Sequence, residues 1–128
     1  MGNVIIWADI PVVDLQRAKE FYAHVTGEEV IQFPGMDDVA VIGNPGAPGG
    51  EPVISADLYV GGKPSKDGAT IYLNPNGDID GLLARVVEAG GEIERPKAFM
   101  GPMVGWIATF FDTEGNRIGA QQPGDGTE

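Results

Sequence analysis

Residues 12–28, VVDLQRAKEFYAHVTGE, and residues 76–92, NGDIDGLLARVVEAGGE, carry one pattern twice, 64 positions apart in a chain of 128. Asp14 maps onto Asp78, Leu15 onto Ile79, Ala18 onto Leu82, Tyr22 onto Val86, Val25 onto Ala89, Gly27 onto Gly91 and Glu28 onto Glu92. Asp14 and Asp78 suit helix N-caps, because a short carboxylate accepts from the unbonded amides of a first turn. Behind each, apolar residues recur at i, i+3, i+7 and i+10, the stripe of an amphipathic helix, and glycine at 27 and at 90–91 stops it. Two copies of one unit that bury each other's apolar faces place a natural cavity at the interface between copies.

Working outward, residues 4–10 form a β-rich run before Pro11, in which Ile5, Trp7 and Asp9 alternate with Val4, Ile6, Ala8 and Ile10. Strands follow at 29–33, 39–43 and 53–60, with turns at Pro34-Gly35 and in the Gly/Pro-rich segment 44–52. The same order returns at 70–74, the second helix, then 91–95, 105–112 and 117–122, the last two joined by a turn at 113–116. The reading is an α+β fold of two tandem β-α-β-β-β units within one structural domain. The first unit covers 1–62, a connector 63–69, the second unit 70–122 and a fraying tail 123–128.

Composition narrows the function. Eight basic residues stand against nineteen acidic ones, a formal charge of −11, which repels phosphate backbones and anionic lipid surfaces. Nucleic acid and membranes are therefore not expected as partners. The chain has no cysteine, which excludes disulfides, thiolate metal sites and cysteine nucleophiles. With no signal-like start and no apolar run of bilayer length, a soluble cytoplasmic protein is expected.

One sheet face in each unit mixes aromatic and polar residues: Trp7 and Asp9, then Ser55, Asp57 and Tyr59, then Thr70, Tyr72 and Asn74. Such a face suits a ligand cleft or an ordinary half-solvated sheet. Trp106, Ala108 and Phe110 share one face of their strand, and Ile107, Thr109 and Phe111 take the other; either set fits a core. His24 reads as a solvated helix histidine, and Asp112 and Glu114 as local stabilisers of a hairpin. Met100 and Met103 sit among glycines in a loop that suits either a lid or stabilising burial.

With both units in view, the sequence resembles the vicinal oxygen chelate superfamily of glyoxalase I, bleomycin- and fosfomycin-resistance proteins and extradiol dioxygenases. The carriers are IPVVDLQRAKEFY at 10–22 with Gly27, IYLN at 71–74, AGGE at 89–92 and FDTEGNRIG at 111–119. The resemblance implies a U-shaped mixed sheet around a cleft, helices on its outer face, and a homodimer. Metal-holding members place His or Gln with Glu in the first and last strands of each unit. The matching positions here are Trp7, Thr70 or Ile71, Gly119, and a place near Asp57. A lone carboxylate does not hold a divalent ion, so no metal and no cofactor are expected.

The expected function is a binding protein that sequesters a cationic or aromatic small molecule, its ligand-binding residues being Trp7, Asp9, Asp57, Tyr59, Thr70, Tyr72, Asn74 and Trp106. The competing expectation is a glyoxalase-like lyase or isomerase, or a dioxygenase-like enzyme, acting on a small oxygenated substrate. In that case Asp9 or Asp57 serves as base.

Overall fold

Asp14 begins the first helix as its side chain dictates, its carboxylate accepting the Arg17 amide at 3.1 Å, and α1 runs over Leu15–Thr26. Asp78 repeats the device for α2, Ile79–Glu88, accepting the Gly81 amide at 2.9 Å. Gly27 ends α1 at φ 73°, a left-handed conformation open to glycine without a Cβ penalty. In the second copy two glycines divide the work. Gly90 takes the positive φ, at 97°. Gly91 supplies space, since a Cβ there would lie 2.7 Å from Val86 Cγ1, 2.8 Å from the Phe111 carbonyl oxygen and 2.9 Å from Phe21 Cε1. Gly91→Ala is therefore expected to cost about 2 kcal/mol or more by overpacking, read as a lower urea midpoint. An unchanged midpoint would contradict this account of the close approach.

The structure, a computed structural model, describes residues 5–43 and 55–124. The expected turn at 44–52, the beginnings of the strands expected from 4 and from 53, and residues 125–128 of the tail lie outside them. Within the described residues the strands are β1 Trp7–Val12, β2 Val30–Ile31, β3 Val39–Ile42, β4 Ser55–Val60, β5 Ile71–Leu73, β6 Glu92–Phe99, β7 Trp106–Phe111 and β8 Arg117–Gln122. They form two four-stranded mixed sheets, ordered β1-β4-β3-β2 and β5-β8-β7-β6. In both, the unit's first strand lies parallel to its last and the other pairings are antiparallel, so the halves repeat in topology as well as in sequence.

Two strands extend past their expected ends, each through a proline. β1 continues through Pro11 to Val12, and β6 runs beyond Arg95 and Pro96 to Phe99. Both are edge strands, where a missing N–H breaks no ladder, and β6 absorbs Pro96 between two register shifts. The strand expected at 29–33 shrinks to Val30–Ile31, and Gln32 instead donates to the carbonyls of Met36 and Asp37 in the following turn. At the other end, Gly124 is tied by its amide to the Met103 carbonyl at 3.2 Å, so the expected fraying does not begin at Pro123.

Ile10, Val12, Ala56 and Leu58 of the first sheet, Ala108, Phe110, Ile118 and Ala120 of the second, and the inner faces of both helices make one buried apolar cluster. Trp106, Ala108 and Phe110 thus belong to the core side of β7. Each fully buried side chain of the size of Phe21, Leu58 or Phe110 contributes about 1.5–3 kcal/mol. The helices meet across the join in a self-matching way. His24 Nε2 lies 2.9 Å from Glu88 Oε1, and these residues occupy equivalent positions of the repeat, 64 apart. Contact between equivalents marks a local twofold axis.

The β7–β8 hairpin does more than turn the chain. Asp112 Oδ2 accepts the buried Tyr22 hydroxyl at 2.6 Å, and Asp112 Oδ1 accepts the amides of Glu114 and Asn116. Glu114 reaches across to the start of α1, where Oε1 accepts the amides of Val13 and Asp14, each at 2.8 Å, and Oε2 accepts Arg17 Nε at 2.6 Å. Asn116 donates to the Pro11 carbonyl at 2.7 Å. Asp112 and Glu114, expected to be purely local, therefore clasp the last hairpin of the second unit to the strand-to-helix passage of the first.

Candidate ligand cavity

Period-2 alternation in β1 sends Ile10 and Val12 into the core and turns Trp7 and Asp9 to the opposite face. Parallel pairing with β4 sets Trp7 beside Ser55 and Asp9 beside Asp57. The Trp7 indole N–H donates to Asp57 Oδ2 at 2.8 Å, which fixes the ring against the sheet. Burial raises the Asp57 carboxyl above its ordinary value; the indole N–H counteracts this and the neighbouring Asp9 carboxyl adds to it. Tyr59, two residues on, lies on the same face with its phenol over Gly62.

The second unit fills the corresponding place with different chemistry. Tyr72 of β5 pairs with Gly119 of β8, as Asp9 pairs with Asp57. Arg117, two residues before Gly119, holds Glu94 by two bonds, Nε to Oε1 at 2.9 Å and Nη2 to Oε2 at 2.7 Å. Thr109 also donates to Glu94, at 2.9 Å. The bonds from Arg117 and then from Thr109 hold the Glu94 carboxyl below its usual range, and Glu94 in turn raises the Arg117 guanidinium.

The first strands of the two units lie at sheet edges and border the same space. A cavity of about 540 Å³ is lined by Trp7, Ala8, Ala56, Ile71, Tyr72 and Asn74, among others. A smaller one, about 280 Å³, lies farther along β1 at Asp9 and Pro11, and Ile71 borders both. The paired alanines 8 and 56, on the core side of the sheet, border the larger cavity as well.

The expected site residues thus divide. Trp7, Tyr72 and Asn74 come together around the larger cavity; Asp9 lines the smaller; Asp57 and Tyr59 flank Trp7 on the same sheet face. Thr70 precedes β5 half-buried and lines neither cavity. Trp106 stands apart on the core side of β7, packed against Phe99 with a centroid distance of 5.2 Å and under the Lys97 ammonium. Met100 and Met103 are exposed at the β6–β7 loop and border neither cavity. Sequence reasoning did not single out Ala8 and Ala56, which border the larger cavity, or Arg117, whose partner Glu94 is 23 residues away.

A family model described as Glyoxalase/Bleomycin resistance protein/Dioxygenase superfamily matches residues 4–119. No protein with a curated description matches the chain. Among solved structures, a glyoxalase/bleomycin resistance protein from Albidiferax ferrireducens is 18% identical with a TM-score of 0.69, the match covering 94% of this chain and all of that one. An antibiotic-binding protein from a Streptomyces species is 25% identical with a TM-score of 0.59, over 95% of this chain and 97% of that one. A variant of the genomically encoded fosfomycin resistance protein of Listeria monocytogenes, complexed with Mn(II), is 13% identical with a TM-score of 0.61, over 94% and 90%.

A divalent ion such as that neighbour holds needs several converging N, O or S ligands. Among the described residues no group of three or more His, Cys, Asp or Glu is placed to hold one. Trp7 offers no lone pair, and Gly119 has no side chain. The residues present do not fit such an ion.

Proposed function

This chain belongs to the glyoxalase/bleomycin resistance protein/dioxygenase superfamily, and on that premise we propose that it binds and sequesters a small cationic aromatic molecule in the cavity between its two units. One observation carries the reading: Trp7 from the first unit and Tyr72 from the second, 39% and 44% exposed, line the same cavity of about 540 Å³. Large aromatic faces left open inside a concavity are stacking surfaces, and a cation gains further from their quadrupoles. Asp57, one hydrogen bond behind Trp7, and the net charge of −11 supply an attractive field. The antibiotic-binding neighbour supports a ligand of drug-like size.

The test is a titration of the Trp106→Phe protein, in which Trp7 is the sole tryptophan, with ethidium as a planar cation and tetraethylammonium as a non-aromatic one. Saturable quenching by ethidium in the micromolar range, with much weaker binding of tetraethylammonium, is expected. No saturable response to either contradicts the reading. Because burial and Asp9 raise the Asp57 carboxyl above its ordinary value, ethidium affinity is also expected to fall on acidification, and to do so less in Asp57→Asn. Affinity independent of pH from neutral down to the carboxylate range would remove Asp57 from the site.

A second reading has one specific observation in its favour. The Asp57 carboxyl, raised by burial and by Asp9, suits a general base for a metal-independent lyase or isomerase. Turnover of dicarbonyl–thiol adducts that Asp57→Asn abolishes supports that reading, and absence of turnover in the unaltered protein contradicts it. Under either reading we take the working form to be a cytoplasmic homodimer. Ile5, Ile6 and Val13, each about two-thirds exposed at either end of β1, support an interface there. Light scattering should return twice the chain mass of 13.5 kDa, and the chain mass itself contradicts the dimer.

A further inference from the structure

β8 is a central strand, paired on one side with β5 and on the other with β7, and glycine in such a strand gives up packing and ordering entropy. Gly119 has no backbone need for glycine, because its φ is not among the positive ones. Its surroundings show what it provides. A Cβ built there would lie 3.0 Å from Tyr72 Cγ and closer still to Cδ1 and Cε1. The ring of Tyr72 therefore rests flat on the bare backbone of Gly119, in the space that any other residue would fill. Arg117, two residues before Gly119 in β8, is itself held by Glu94. A ring seated on a strand is held in one orientation, and Tyr72 borders the larger cavity.

We infer that Gly119 is a positioning residue: by lacking a side chain it seats Tyr72 as a stacking platform, and this seat makes the second half of the cavity selective for a planar aromatic group. The inference rests on the binding reading above and deepens it. The equivalent pairs in the two sheets divide the recognition. Asp57, bonded to the Trp7 indole, gives the first half its negative charge, and Tyr72 on Gly119 gives the second half its flat surface. The ligand class that fits is asymmetric, a planar ring system with its cationic group toward the first unit.

The test compares Gly119→Ala, Tyr72→Ala and the double variant with the unaltered protein, using ethidium and tetraethylammonium as probes and thermal unfolding as a control on folding. Gly119→Ala is expected to weaken ethidium by about tenfold while leaving tetraethylammonium within about twofold. In the Tyr72→Ala background the same substitution is expected to change ethidium affinity by less than about twofold, because the ring it displaces is already gone. Ethidium affinity unchanged in Gly119→Ala, or losses that multiply in the double variant, would overturn the inference. Should Gly119→Ala fail to fold, the Gly119 Hα resonances decide without it. Ring current from a seated Tyr72 shifts them upfield and Tyr72→Ala abolishes the shift; absence of the shift overturns the seat. That signal requires no ligand, so failure of every probe to bind would sink the binding reading while the resonances still decide the seat.

Discussion

Glu114→Ala is expected to lower the unfolding free energy by about 3 kcal/mol. The side chain is fully buried, yet it satisfies two backbone amides at the entry to α1 and the Arg17 guanidinium. Truncation leaves the Val13 and Asp14 amides without their acceptor and frees the last hairpin from the first unit. The ionisation of Glu114 carries the same information. Burial alone would raise its carboxyl, but the bonds from Arg17, Asp14, Val13 and Thr113 outweigh it and lower the value to about 2 from an ordinary 4.5. A carboxyl depressed on folding stabilises fully above its unfolded value, and that contribution fades as pH falls from about 4.5 to about 2. With Arg17 half exposed and screening accordingly, the part lost across that window is roughly 2 kcal/mol. Urea midpoints of Glu114→Ala should therefore be low at neutral pH and nearly flat where those of the unaltered protein fall. A variant as stable as its parent at pH 7 would contradict the clasp.

Trp7→Ala is expected to weaken ethidium about thirtyfold, equivalent to roughly 2 kcal/mol, with little change in melting temperature. The two readouts separate because Trp7 is 39% exposed and outside the buried cluster, so its removal takes away ligand surface and little core. Its truncation also withdraws an indole N–H from Asp57. Thirtyfold weakening at neutral pH with the melting temperature kept would identify Trp7 as a stacking wall. Equal affinity in parent and variant would remove Trp7 from the site.

The helices, the duplication and most strands were legible because they rest on local signals: capping aspartates, terminating glycines and apolar periods repeated at matched positions. Glu114 was not, because its partners lie about 100 residues away and a hairpin carboxylate has a sufficient local explanation. Prolines 11 and 96 misplaced two strand ends, since only sheet order reveals that both strands lie at edges. Trp7, Tyr72 and Asn74 could be placed on one face from alternation alone, but alternation does not say which face of β7 points inward, and Trp106 proved to face the core. Gly119 was readable as a missing ligand. Its use as a seat required knowing that β5 and β8 are neighbours in register, so that Tyr72 falls opposite it.

In the proposed binding mode a ligand enters between the two units and is held by one aromatic wall from each. An amide and indole resonance map of the protein titrated with ethidium tests this. Saturable shifts are expected, confined to the Trp7 indole, Tyr72, Asn74 and Gly119, with Trp106 and His24 unmoved. Shifts centred on Trp106 or His24, or none that saturate, would contradict it.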